Sequence, residues 1–283
     1  MITVEVSGGL GNQMYKFAFG FAMAKKFHQP LSIDTSISDY VDFRDFGLDE
    51  LSVSYEKRIS YRRGKSLWHR CFRHLREKKA LGDVIAVCQG KDPYYYSECF
   101  EQQIGSEGDF YLYGGWANYR YFDGIREEIQ RIFLPKETDA EVESLAEKFQ
   151  LEDSVAIHVR RGDYLNLGIT LLPDYYQQAI QKMMDEQAKK NLQFYVFSDD
   201  IEYCKQLFAP FGTESFHFPQ YQNEHKTVYD MYLMSRCKNL IIANSTYSWW
   251  SAYLAKEGAY VIAPVLNIWS EDLYPEEWQT ICL

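Results

Sequence analysis

The segment Val155-Ala156-Ile157-His158-Val159-Arg160-Arg161-Gly162-Asp163 places an imidazole, two guanidinium groups and a carboxylate directly after an apolar, β-branched run. Such a run predicts a buried strand, and in an open α/β sheet ligands sit at the carboxyl ends of the strands. Arginine is a planar, permanently charged fork that fits two phosphate oxygens at once, so the partner this pair suits is a di- or triphosphate. The structural alternative is a surface ion pair between Arg161 and Asp163, with His158 satisfied in the core. For these few residues alone, both readings stand.

Three further segments are expected at strand ends, and the four together at one shared edge: Gly8 to Asn12, Ser198-Asp199-Asp200, and Asn244 to Ser248. Gly8-Gly9-Leu10-Gly11 precedes an apolar helix, so its backbone N–H groups can approach an anion at a helix start. It has neither the G-x-G-x-x-G spacing nor the Lys-Ser/Thr of a Walker loop, and a tight turn would need the same glycines. Ser245, Thr246 and Tyr247 open another helix, where Ser245 or Thr246 is expected to cap and the group can also meet phosphate. Asp199 and Asp200 can accept hydrogen bonds from a guanine edge or a ribose, and Asp200 can equally cap the helix that follows. Trp249 and Trp250 are expected in the core. No Asp-x-Asp occurs in the chain, so the carboxylate pair that holds a metal against a nucleotide diphosphate is missing. Metal independence is therefore expected, with Arg160, Arg161 and the two helix starts neutralising the phosphates. No G-x-S-x-G or H-E-x-x-H is present either, which removes common hydrolase readings.

The elements that must position these residues are legible from periodicity. Val4 to Val6, the glycine loop, an apolar helix from Met14 to Ala24 and the strand Leu31 to Asp34 make a βαβ start. The stretches around Tyr94 to Tyr96 and Tyr111 to Trp116 are dense in aromatics and lack a clear period. A break near Pro135 to Thr138, before an acidic helix at 139–150, predicts two domains, 1–136 and 137–283. After it the pattern alternates: strand 154–159, helix 173–190, strand 194–197, helices 201–208 and 226–236, strand 239–243, helix 246–256 and strand 260–263. Alternating units with continuous apolar strands predict parallel sheets covered on both faces.

Composition narrows the class. With 46% hydrophobic and 25% charged residues over 283 positions the chain is globular, and no apolar run is long enough to cross a bilayer. Met1 to Val6 enters a strand directly, which predicts no secretory signal and a cytoplasmic address. Six scattered cysteines without C-x-x-C spacing predict reduced thiols and no structural zinc. The net charge is −10, yet residues 57–79 hold ten Lys or Arg against Glu77 alone, a local +9 that leaves −19 elsewhere. Leu67, Trp68, Cys71, Phe72 and Leu75 recur there at helical spacing, predicting a basic helix that packs on the core or lies on an anionic membrane. The acidic remainder argues against a nucleic-acid partner.

Four segments together, Gly8 to Met14, His158 to Tyr164, Phe197 to Asp200 and Met231 to Ala255, resemble the bacterial α-1,2-fucosyltransferases in order and spacing. The resemblance runs over nearly the whole chain, with residues 40–95 the least family-like. It implies a GT-B-like α/β fold, two Rossmann-type domains with a cleft between them. The first would be the acceptor side and the second would bind GDP-fucose, a co-substrate used without metal or other cofactor. By this likeness Arg160 holds the β-phosphate and stabilises the leaving GDP, while His158 and Asp199 meet the guanosine. Ser245, Thr246 and Tyr247 would contact the diphosphate, with Asp200 also on the donor. Gly9, Gly11 and Asn12 would approach from the other domain, Asn12 counting with Arg160 and Asp163 among the catalytic groups. Asp163 is the nearest carboxylate for a base, although it can equally be a structural partner of Arg161; the glutamate-bearing loop of some relatives is absent, since Tyr164 to Gly168 carries no acid, and a mechanism driven mainly by leaving-group stabilisation stays open. The implied acceptor is a galactose-terminated, lipid-linked or surface glycan, at the inner face of the cytoplasmic membrane. Another GDP-fucose linkage, protein O-fucosylation, or a non-catalytic nucleotide-sugar or glycan-binding module using the 23 tyrosines and six tryptophans stays open.

Overall fold

The computed structural model of the chain describes residues 1–36, 46–60, 84–188, 191–212, 214–219, 221, 225–266, 269 and 271–283. The chain divides into two compact units, Met1–Phe133 and Leu134–Leu283.

In the N-terminal unit, strand β1 (Ile2–Glu5), helix α1 (Leu10–Lys26) and strand β2 (Leu31–Asp34) form the expected βαβ start, with Ile2 opposite Leu31 and Glu5 opposite Asp34 in parallel register. Twelve of the helix's residues are buried, among them Met14, Phe17, Ala18 and Phe19, so it is apolar nearly all round. Strands β3 (Lys57–Ile59), β4 (Val84–Cys88) and β5 (Asp109–Tyr113) complete a parallel sheet in the order β3-β2-β1-β5-β4. Helix α2 (Arg126–Ile132) closes the unit. The aromatic stretch therefore contains one strand, at Tyr111, while Tyr94 to Tyr96 lie in a loop. That loop is organised by the buried amide of Gln89, which donates to the carbonyls of Pro93 and Tyr95 (3.1 and 2.9 Å) and accepts from the Trp116 N–H. Trp116 in turn stacks on Phe19, ring centroids 4.0 Å apart. At the start of the basic window, Lys57 to Ile59 pair with β2 as an edge strand. The rest of that window, 61–79, including the positions at helical spacing from Leu67 to Leu75, lies outside the described residues.

The C-terminal unit begins with helix α3 (Ala140–Leu151), capped by Asp139, whose carboxylate accepts from the Val142 N–H at 2.9 Å. Strand β6 (Asp153–Val159) is buried from Ser154 onward and sits inside the sheet, as its unbroken apolar run requires. It leads through a short helix not anticipated from the sequence, α4 (Gly162–Leu167), to helix α5 (Pro173–Glu186). There follow β7 (Leu192–Ser198), α6 (Ile201–Phe208), β8 (Phe216–His217), α7 (Lys226–Arg236), β9 (Asn239–Ile241), α8 (Thr246–Tyr253), β10 (Tyr260–Val265) and β11 (Gln279–Cys282). All strands are parallel, in the order β11-β10-β9-β6-β7-β8.

Helices α5 and α8 stop short of their expected ends at 190 and 256. Strand β9 stops at Ile241 rather than Ala243, because the Ala243 N–H donates to the Ser248 hydroxyl (2.9 Å) instead of to a neighbouring strand. Trp249 and Trp250 are fully buried, as expected, with Trp249 Nε1 donating to the Leu273 carbonyl at 2.9 Å. Burying rings of that size with the polar atom satisfied anchors α8 to the sheet. The five described cysteines are free thiols, and no described helix is long and apolar enough to cross a membrane.

Candidate active site

Strands β6, β7 and β9 are neighbours in one parallel sheet, so the segments that follow them emerge at one edge. Arg160 is the first residue beyond β6. Its Nη1 lies 2.7 Å from Asp199 Oδ2 and its Nη2 donates to Asp163 Oδ1 at 2.7 Å. The next cation is used differently. Arg161 Nε donates to Asp200 Oδ2 at 2.9 Å, and its guanidinium lies 3.5 Å from the centre of the Tyr203 ring. The sequence alternative that paired Asp163 with Arg161 is thus corrected: Asp163 belongs to Arg160. The reason is the first turn of α4, which carries Asp163 back over a residue three positions earlier.

Asp199 ties the arrangement together. While Oδ2 faces Arg160, Oδ1 accepts from the Arg161 backbone N–H at 2.9 Å. Gly162 makes room for it, since a Cβ there would stand 2.6 Å from Asp199 Oδ2. Asp200 caps α6 by accepting from the Tyr203 N–H at 3.1 Å. That backbone bond first, and the Arg161 guanidinium second, hold its carboxyl below the usual carboxylate range. Of the two readings of Asp200, the structure realises the helix cap.

His158, the penultimate residue of β6, is buried and its Nδ1 has no hydrogen-bond partner. Burial, reinforced by the positive charge of Arg160, pushes its pKa down to about 4, so the ring is neutral at pH 7. Tyr247 lies beside it, ring centroids 5.4 Å apart. The Tyr247 hydroxyl donates to the Thr227 carbonyl at 2.6 Å, so its proton is already committed. Burial, and then the charge of Asp230, raises its pKa well above the ordinary phenol value.

Ser245 stands at the N-cap of α8 without a side-chain capping bond, so it does not make the cap expected of it or Thr246. Ser248 takes over locally by accepting from Ala243. Asn244 donates from Nδ2 to the Ile169 carbonyl (2.9 Å), and its own backbone carbonyl accepts from the Tyr164 hydroxyl (3.2 Å). Its side-chain oxygen is buried with no partner. Gly162, Tyr164, Tyr203 and Asn244 had been given no individual role. Tyr164, four positions after Arg160 and 5.6 Å from its guanidinium, carried a signal in sequence, whereas Tyr203 reaches Arg161 only through the fold.

The glycine segment does not follow a strand of this sheet, which corrects the expectation that all four segments share one sheet edge. It follows β1 in the other sheet, because each sheet draws its strands only from its own unit. Gly8 adopts φ +89°, a conformation that L side chains rarely take, and Gly9 is the N-cap of α1. Gly11 is buried and Asn12 exposed, its N–H donating to the Gly9 carbonyl at 2.9 Å. Gln13 clamps the turn by donating to the Gly8 carbonyl (2.7 Å) and accepting from the Gly47 N–H (3.0 Å). Lys16 donates to the Ser7 hydroxyl at 2.7 Å.

At the β6 edge, then, a cation oriented by two carboxylates, a neutral imidazole, a buried amide oxygen and a helix start lie together. That set can bind an anion and stabilise negative charge developing on it. Among the described residues, no group of three or more His, Cys, Asp or Glu side chains is placed to hold a metal ion.

An α-1,2-colitosyltransferase of Escherichia coli is 29% identical, over 99% of both chains. The O-antigen biosynthesis glycosyltransferase WbnK of Escherichia coli is 28% identical, over 92% of both. Among solved structures, the NodZ α-1,6-fucosyltransferase soaked with GDP-fucose, an enzyme known from Bradyrhizobium, superposes with a TM-score of 0.51 at 14% identity, covering 90% of this chain and 92% of its own. This likeness concerns the fold, which is GT-B-like with two Rossmann-type α/β units. The profile of glycosyl transferase family 11 matches residues 89–281, the greater part of the chain and all of the edge around Arg160. This chain belongs to glycosyltransferase family 11.

Proposed function

We infer that the chain transfers L-fucose from GDP-fucose to the 2-hydroxyl of a terminal galactose, with inversion at the anomeric carbon and without a metal. The observation that carries this reading is Arg160, fixed by Asp199 at the end of β6 beside a neutral His158. In a family 11 chain such a guanidinium suits the β-phosphate, whose charge grows as the sugar leaves. Donor-site contacts are assigned to His158, whose Nδ1 would gain a partner from the nucleotide, and to the start of α8 at Ser245, Thr246 and Tyr247. Inversion needs one displacement. The acceptor oxygen attacks the anomeric carbon, the bond to the β-phosphate oxygen breaks with its electron pair leaving on GDP, and the hydroxyl proton passes to a base, for which Asp163 is the choice.

A second donor is favoured by one comparison, the 29% identity to a colitosyltransferase. Colitose is fucose without its 3-hydroxyl, so the same cationic edge would serve GDP-colitose. The acceptor class inferred is a galactose-terminated surface glycan, reached at the cytoplasmic side of the membrane with help from the +9 window at 57–79. The deciding experiment incubates the chain with GDP-fucose or GDP-colitose and a panel of β-galactosides, with and without EDTA, and reads linkage by NMR. Transfer to O2, unchanged by chelator, is expected. No turnover with either donor, a different linkage, or loss on chelation restored by a divalent ion would each sink the corresponding part. Co-sedimentation with anionic vesicles, unchanged after neutralising Arg70, Arg73 and Arg76, would remove the membrane contact.

A further inference from the structure

We propose that Arg160 couples donor binding to catalysis by exchanging partners: the donor pyrophosphate displaces Asp163 from the guanidinium, and only then is the Asp163 carboxylate available to take the acceptor proton. This rests on the donor site and the base assigned above. It adds an order of events that neither requires.

The Arg160 guanidinium is already closed on two sides. Asp199 faces Nη1 and Asp163 faces Nη2, each at 2.7 Å. Two carboxylates more than neutralise one guanidinium, so an incoming pyrophosphate meets a net negative cluster, and the repulsion falls when one carboxylate gives way. The two are not equally replaceable. Asp199 is pinned through its other oxygen by the Arg161 N–H, and it packs against Gly162 so closely that a single added carbon would collide with it. Asp163 rides on α4, a helix of six residues of which none is buried. Leu165 and Leu167 of that helix are 51% and 64% exposed. The Tyr164 hydroxyl of α4 donates to the Asn244 carbonyl at the sheet edge. An ion pair about one-third exposed at both ends is weak, and a pyrophosphate brings more charge and more acceptor oxygens than the carboxylate it replaces.

The exchange has a chemical consequence. While Asp163 pairs with Arg160, its Oδ1 is engaged by the guanidinium and turned toward the cation rather than toward an acceptor hydroxyl. Once the donor occupies Nη2, Asp163 is displaced by a phosphate lying next to the reacting carbon. It can then take the proton of the acceptor hydroxyl as that oxygen bonds to the anomeric carbon and the electron pair leaves with GDP. Arg160 remains on the β-phosphate throughout, and Asp199 holds it there.

The test turns on the sign of an effect. GDP is titrated by calorimetry into the full-length wild-type chain and into Asp163→Asn, Asp163→Ser and Asp199→Asn, with thermal unfolding to confirm that each is folded. If Asp163 competes with the donor, removing its charge tightens GDP binding, by about two- to five-fold. Fucosyl transfer by the same variants should fall by about 100-fold. Asp199→Asn should bind GDP more weakly, by about tenfold. The serine variant guards against an asparagine amide that simply re-forms the bond. Unchanged or weaker GDP binding in both Asp163 variants would overturn the exchange, making that residue a plain support for Arg160. A wild-type chain that fails to bind GDP would instead defeat the donor-site assignment, before any variant is compared.

Discussion

The carboxyl edges of the two sheets are built from similar parts and differ in what their charges face. At the edge of β1, Lys16 donates to Ser7 and lies 4.0 Å from the buried Glu5, while Asp34 accepts from Ser36 and from Tyr111. At the edge of β6, Arg160 is only partly buried and one of its two carboxylate partners rides on an unburied helix. Buried polar groups that satisfy one another stabilise a turn, whereas a part-exposed cation with a replaceable partner can exchange that partner for a ligand. The two glycines follow suit: Gly8 serves backbone conformation, and Gly162 serves the approach of a functional carboxylate.

The largest expected effect tests the β6 edge directly. Arg160→Ala should lower transfer by about 10³-fold while leaving the thermal unfolding of the chain nearly unchanged, because a guanidinium still 29% exposed at the sheet edge contributes charge more than packing. Substantial residual turnover would erase the contrast between the two edges.

Next is an acid limb set by His158. Its folded pKa of about 4 lies below the ordinary 6.5, so between those values the unfolded chain binds a proton that the native one excludes. Its contribution is complete above pH 6.5 and is lost as pH falls toward 4, by on the order of 3 kcal/mol. Urea unfolding from pH 4.5 to 7 should be less pH-dependent in His158→Asn than in the wild type. Equal slopes would mean that the imidazole is not held neutral.

The glycine pair gives the smaller effects. Gly162→Ala should weaken GDP binding by about tenfold through displacement of Asp199. Gly8→Ala should cost about 1 kcal/mol of stability, through its left-handed φ and a Cβ that would stand 3.1 Å from Asn12 Nδ2. If the alanine at 162 changed only stability, the functional half of the comparison would fail.

The sequence by itself determined the alternation of strands and helices, the strand end that carries His158 to Asp163, and the helix start at Thr246, whereas the first helix begins at Leu10, one turn before the expected Met14. These depend on hydrophobic period and on residues a few positions apart, and such local patterns survive without knowledge of what packs where. The aromatic loop around Gln89 was not legible, because tyrosines that bury against one another leave no period. Nor were the partners of the two arginines. Arg160 meets Asp199 and Arg161 meets Asp200 only because β6 and β7 lie side by side in register, His158 opposite Phe197 and Val159 opposite Ser198. Strand adjacency is settled by the packing of the whole sheet, so tertiary structure alone decided which carboxylate holds which cation, and that the glycine loop belongs to a different sheet.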